Sequence, residues 1–212
     1  MTPAIEFCGI TKRFPGGFLA LDDVSLQFYR GELHAVVGEN GAGKSTLMNI
    51  MFGLLRPTGG RILADGKPRI HRKPADAIAG GIGMVHQHFK LVPTFTVAEN
   101  LRLVARPEMR HKIRNDKAII ALAEQYGITI NPGAIAGTLP LALQQRVEIL
   151  KTLVNEADLL ILDEPTTILN PKEADSLYEV LARMVADQRA VVVDEQDLGE
   201  GRHVRSLPRP AR

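Results

Sequence analysis

The sequence predicts an α/β chain built on a mainly parallel sheet, and three stretches carry that prediction. A short apolar run at 33–37 leads through the glycine-rich turn Gly38-Glu39-Asn40-Gly41-Ala42-Gly43 into an apolar segment from Lys44 onward. A second run, Leu159-Leu160-Ile161-Leu162, is continuously apolar, as a central parallel strand covered on both faces requires. Between them, residues 96–156 carry helical rather than strand spacing. At 212 residues, 45% hydrophobic and 24% charged, the chain suits one ample core or two modest lobes. A net charge of +2 supplies no basic field for nucleic acid. The single cysteine, Cys8, excludes an internal disulfide and fits a reducing compartment. The opening residues lack a leader pattern, and no apolar run has the length of a membrane span. The expectation is a cytosolic chain that reaches any membrane through a partner.

In chain order, residues 4–37 alternate apolar and polar, with turn signals at Pro15-Gly16-Gly17 and Arg30-Gly31. They read as a β-rich segment ending in the strand before the glycine-rich turn. Pro57-Thr58-Gly59-Gly60 and Asp65-Gly66 bracket another strand at 61–64. A short helix is expected over 73–80 and a strand over 82–86, which puts His86 and His88 on one strand face. No third metal ligand accompanies that histidine pair. Val97, Leu101 and Val104 share a helical face, as do Ile119 and Leu122; Val147, Leu150 and Val154 form another stripe. This is read as a helical subdomain of about 90–156 inserted into the α/β core. Asn170-Pro171 starts a further helix, with Asn170 capping and Leu177, Leu181 and Met184 facing inward. A buried strand follows at 190–193. Residues 201–212 hold four arginines and no acid, and read as a solvated, disordered tail, with an anionic contact as the alternative.

The strand, turn and helix at 33–52 match the P-loop pattern G-x-x-x-x-G-K-[ST] in its confirming context. Gly38, Gly41 and Gly43 let successive backbone N–H groups face one point, with Glu39, Asn40 and Ala42 completing the nest. The helix start adds its positive dipole end. Lys44 then reaches the outer phosphates, Ser45 offers a hydroxyl to Mg2+, and Thr46 completes the site. Asp163-Glu164 ends the 159–162 strand, on the edge of the sheet where ligands gather. Asp163 is placed to hold Mg2+, and Glu164 to accept a proton from the attacking water.

Residues from about 5 to 200 resemble the nucleotide-binding domain of an ABC transporter, a P-loop NTPase core with an N-terminal antiparallel β subdomain. The resemblance rests on the P-loop, on Leu159-Leu160-Ile161-Leu162-Asp163-Glu164-Pro165, on Met84-Val85-His86-Gln87-His88-Phe89 and on Thr167-Ile168-Leu169-Asn170. Thr-Val-Ala-Glu-Asn at 96–100 and the text around the P-loop are most similar to ATPases of bacterial simple-sugar and nucleoside importers. The resemblance implies ATP and Mg2+ as cofactors, with Lys44, Gln87 and Glu164 catalytic and Ser45, Gln87 and Asp163 around the metal. Phe14 stands where the family stacks an aromatic on adenine, although it could equally be a core ring. The implied partners are membrane permease subunits, a second ABC domain in a head-to-tail pair and, indirectly, a solute-binding protein. The implied location is the inner face of the cell membrane.

Two positions depart from the family. Leu139-Pro140-Leu141-Ala142-Leu143 stands where the family has Leu-Ser-Gly-Gly-Gln. Pro140 removes a hydroxyl, and the Ala142 methyl is expected to crowd a phosphate. Gln196 replaces the switch histidine and cannot change protonation as histidine does. The resemblance also stops beyond Glu200, short of the family's closing elements. The expected function is an ATP-binding importer subunit that couples hydrolysis to uptake. The alternative is a non-hydrolysing interaction module, and a soluble ABC ATPase acting on DNA or ribosomes is disfavoured by the near-neutral charge.

Overall fold

The computed structural model describes residues 2–39, 41–69 and 71–195, and the backbone of 204–206. The alternating segment forms β1 (Ile5–Arg13) and β2 (Leu19–Phe28), followed by the apolar β3 (Leu33–Val37). Helix α1 (Lys44–Met51) leaves the glycine-rich turn, and β4 (Gly59–Ala64) and β5 (Lys67–Arg69) form a hairpin. Asp65 and Gly66 take φ of 50° and 73° at its turn, the paired positive values that match strand twist. Next come α2 (Pro74–Ala79) and β6 (Ile82–Val85). The helical lobe holds α3 (Val97–Val104), a 3-10 stretch Pro107–Ile113, α4 (Asp116–Gln125) and α5 (Leu141–Val154). The α/β pattern resumes with β7 (Leu159–Asp163), α6 (Pro171–Ala186) and β8 (Ala190–Glu195).

Strands β2-β1-β4-β5 make one antiparallel sheet, and β6-β7-β8-β3 run parallel in the other. A short strand β9 (Val204–Ser206) pairs with the outer edge of β3, in parallel. This corrects the reading of 201–212 as an unstructured tail for those three residues. The open edge of β3 offers unpaired backbone groups, and an extended segment satisfies them without needing an apolar run of its own. Residues 201–203 and 207–212 lie outside the described residues. A second correction concerns His86 and His88, because β6 ends at Val85 and both follow the strand.

The continuous apolar run of β7 is explained by its two faces. Leu160 and Leu162 pack into a core shared with α3, α4, α5 and α6, whereas Leu159 and Ile161 pack into a second core with α1 and the antiparallel sheet. Val191 and Val193 of β8 join the first core, and Ala190 and Val192 the second. Helix starts follow their caps. Thr96 and Glu99 form a capping box at α3, and Asn170 with Glu173 forms another at α6, just before Pro171. Leu150 lies on the buried face of α5 with no exposed surface. Leu150→Ala is expected to lower unfolding stability by about 2–5 kcal/mol, measured by chemical denaturation. No helix among the described residues is long and apolar enough to cross a membrane.

Candidate functional site

Four adjacent parallel strands, β6, β7, β8 and β3, end at one edge of the sheet, and each delivers chemistry there. At the end of β3, Gly43 sits at the cap of α1 with φ +89°. A Cβ at this residue would stand 2.4 Å from Ala20 O and 2.8 Å from a Leu21 methyl, so the turn lies flush against β2. Glycine is therefore required twice, for its conformation and for the close approach. Lys44, 5% exposed, folds back so that its ammonium donates to Gly38 O at 2.8 Å and Glu39 O at 3.5 Å. Ser45 is exposed and Thr46 half-buried, so hydroxyls remain at the mouth of the turn. Gly41 also has positive φ, and Ala42 N–H donates to Glu39 O at 3.1 Å. Asn40 lies outside the described residues.

At the end of β7, Asp163 is half-buried, and burial first, then Glu164, raises its carboxyl above the ordinary aspartate range. Lys44 and His86 pull in the opposite direction. Glu164 takes φ +46°, a conformation rare for a non-glycine residue and one that concentrates at functional sites. Gln87, just beyond β6, donates its amide to Glu164 Oε2 at 2.9 Å, and Thr167 Oγ1 donates to the same oxygen at 3.3 Å. Gln87, Asp163 and Glu164 thus line one cleft.

The sequence reading missed what β8 contributes. Asp194, fully buried, lies level with Asp163 on one side and Val36 on the other. Burial pushes its carboxyl up to about 6, against the attraction of Lys44 and with the repulsion of Asp163 and Glu164. Glu195 accepts from Thr166 Oγ1 and from Tyr178 Oη, bracing the loop that follows Glu164. The available signal was a repeated pattern: both 159–164 and 190–195 are four apolar residues followed by Asp-Glu. Gln196, in the switch-histidine position, lies outside the described residues.

Two outlying features complete the site. Phe14 sits in the β1–β2 turn, where it stacks on Phe18 with centroids 6.4 Å apart and takes Lys12 Nζ over its ring at 5.1 Å. Phe18 is 62% exposed and was not singled out from sequence. On the helical lobe, Pro140 occupies the cap position of α5, one residue before the helix, and makes no side-chain capping bond. Leu141 is 52% exposed beside it. Helix α5 also grips both loops of the cleft. Gln145 Nε2 donates to Pro165 O at 2.7 Å, and Glu148 accepts from Lys90 N–H and pairs with Lys151 at 3.0 Å.

The ABC transporter family model matches residues 21–167. The chain is 44% identical over 205 residues to the nucleoside import ATP-binding protein NupA of Lactococcus lactis, covering 94% of this chain and 40% of that protein. It is 45% identical over 195 residues to the guanosine import ATP-binding protein NupO of Bacillus subtilis, covering 91% and 38%. It is 43% identical over 202 residues to the ribose import ATP-binding protein RbsA of a Chelativorans species, covering 94% and 39%. The chain therefore spans about two-fifths of the length of these relatives. Among solved structures, the ADP conformation of MJ1267, an ATP-binding cassette of an ABC transporter, superposes with a TM-score of 0.83 at 25% identity, covering 94% of this chain and 83% of that one. The dimeric structure of MJ0796, a bacterial ABC transporter cassette, gives 0.73 at 26% identity, covering 91% and 88%.

Proposed function

The chain belongs to the ABC transporter family, and from that premise we propose that it is the ATP-binding subunit of a sugar or nucleoside importer. In this reading it couples Mg-ATP binding and hydrolysis to uptake through a membrane permease at the inner face of the membrane. The observation that carries the proposal is the convergence of Lys44, Ser45, Gln87, Asp163 and Glu164 on one edge of a parallel sheet. The matched relatives, named for import of nucleosides, guanosine and ribose, support the solute class.

The roles follow from the chemistry of each group. Gly38, Glu39, Gly41, Ala42 and Gly43 wrap the phosphates with backbone N–H groups, and Lys44 neutralises their outer oxygens. Mg2+ suits the donors present, because the Ser45 hydroxyl, the Gln87 amide oxygen and the Asp163 carboxylate are all hard oxygen ligands. Among the described residues no three His, Cys, Asp or Glu side chains could hold a metal by themselves. That also fits Mg2+, which takes one or two carboxylates and completes its shell with phosphates and water. When bound, the cation neutralises charge on the transferring phosphoryl group. Glu164 holds the attacking water and receives its proton, while Gln87, bonded to Glu164, senses whether the site is filled. Phe14 offers its ring to adenine.

Partners are part of the same proposal. The dimeric cassette to which this chain is similar supports pairing with a second ABC domain, and the pair proposed is head-to-tail, each P-loop meeting the other domain's signature. A cavity of about 180 Å³ between the sheet and the helical lobe is lined by Phe52, Met84, His86, Lys90, Val104 and Glu148, beside Gln87. It supplies a surface for a permease segment. A solute-binding protein would act through the permease.

A second reading, a nucleotide-binding module with impaired hydrolysis, is favoured by one specific observation. Pro140 caps α5 without any side-chain bond, so the start of this helix offers no hydroxyl to a facing phosphate. Purified chain alone is therefore expected to hydrolyse ATP far more slowly than family members with an intact signature. A steady-state phosphate-release assay checks this. Turnover equal to theirs would show that Pro140 and Ala142 do not matter.

A further inference from the structure

Asp194 is absent from the roles just assigned, yet it stands on β8 between β7, which carries Asp163, and β3, which leads through the glycine-rich turn to Lys44. The residue is fully buried. Its Oδ1 lies 3.6 Å from Lys44 Nζ and has no hydrogen-bond partner among the described residues. Its Oδ2 accepts a long bond of 3.4 Å from Ser45 Oγ. A carboxylate taken wholly out of water is unfavourable unless its oxygens are satisfied, and here one is not. Packing does not call for it either, because the strand up to this point is Ala-Val-Val-Val and another apolar residue would continue the run. The two side chains that it touches are those assigned to the outer phosphate and to Mg2+.

We propose that Asp194 is an internal anion of the nucleotide site, holding Lys44 and Ser45 until the outer phosphate of an incoming nucleotide displaces it. The proposal rests on the nucleotide-binding reading above. The exchange is one anion for another at the same ammonium, so part of the attraction between Lys44 and phosphate is offset by the contact it breaks. Once displaced, Asp194 faces phosphate as well as Asp163 and Glu164, and like charges at such separations repel. A divalent cation among these oxygens relieves that repulsion. Asp194 therefore weakens nucleotide binding, and weakens it most when Mg2+ is absent.

The test is titration of a fluorescent ATP analogue into the wild-type chain, Asp194→Asn, Asp194→Val and Lys44→Ala, each with Mg2+ and with EDTA. Asparagine keeps the shape of the side chain and valine continues the apolar strand, so a folded variant without the charge is available. Both Asp194 variants are expected to bind about tenfold tighter than wild type in EDTA, the order of one charge-assisted contact, with a smaller gain in Mg2+. If neither variant binds tighter while Lys44→Ala remains impaired, Asp194 is not a competitor and the proposal is overturned alone. If wild type binds no better than Lys44→Ala, the nucleotide-site reading falls and this proposal falls with it.

Discussion

Lys44→Ala is expected to bind Mg-ATP roughly ten- to a hundredfold more weakly than the wild-type chain. The ammonium is the only cationic side chain in the glycine-rich turn, and it is held in place by Gly38 O and Glu39 O. Bonds from a charged donor to phosphate contribute about 1.5–3 kcal/mol, and each 1.4 kcal/mol is a factor of ten. A second consequence separates this residue from an ordinary ligand contact. Removing Lys44 leaves Asp194 fully buried without its counter-charge, which is destabilising in its own right. Lys44→Ala should therefore also melt at a lower temperature, and adding Asp194→Asn should restore part of that loss. Isothermal calorimetry and a thermal melt of the single and double variants give both numbers. Unchanged nucleotide affinity in Lys44→Ala would remove the P-loop from the function.

The second large effect is on chemistry. Glu164→Gln is expected to reduce ATP turnover about a hundredfold or more, the range that loss of a positioned general base produces. Mg-ATP affinity should be retained, because glutamine preserves shape and its oxygen can still accept from Gln87, now 2.9 Å from Glu164 Oε2. The assay pairs single-turnover hydrolysis with equilibrium binding, run beside a partner domain that carries an intact signature. Turnover that survives the substitution would assign the proton to another group.

Local patterns were legible in the sequence, and their assembly was less so. The P-loop, the helix start at Asn170-Pro171 and the apolar strand at 159–162 each announce themselves through residues a few positions apart. Asp194 does not, because its meaning depends on β8 lying between β7 and β3, a topological fact no single segment carries. From sequence alone the segment reads only as a buried strand over 190–193, and Asp194 is not singled out. The polar residues of α5 escaped for a related reason. Apolar spacing identified the buried stripe, but Gln145 and Glu148 are buried too, at 2% and 5% exposure, because loops from elsewhere in the chain accept and donate to them. Strand β5, Lys67–Arg69, is exposed throughout and contains proline, so it showed no alternation to find.

The grip of α5 has a mechanical consequence. Gln145 and Glu148 stand one turn apart on a single rigid helix, one holding the loop after Glu164 and the other the segment after Gln87. The same helix starts directly after its cap residue, Pro140. Helix α5 therefore works as a yoke. A tilt of α5 would carry the loop after Glu164 and the segment after Gln87 together. A push on α5 would reach both sides of the cleft lined by Gln87, Asp163 and Glu164 as one moving part.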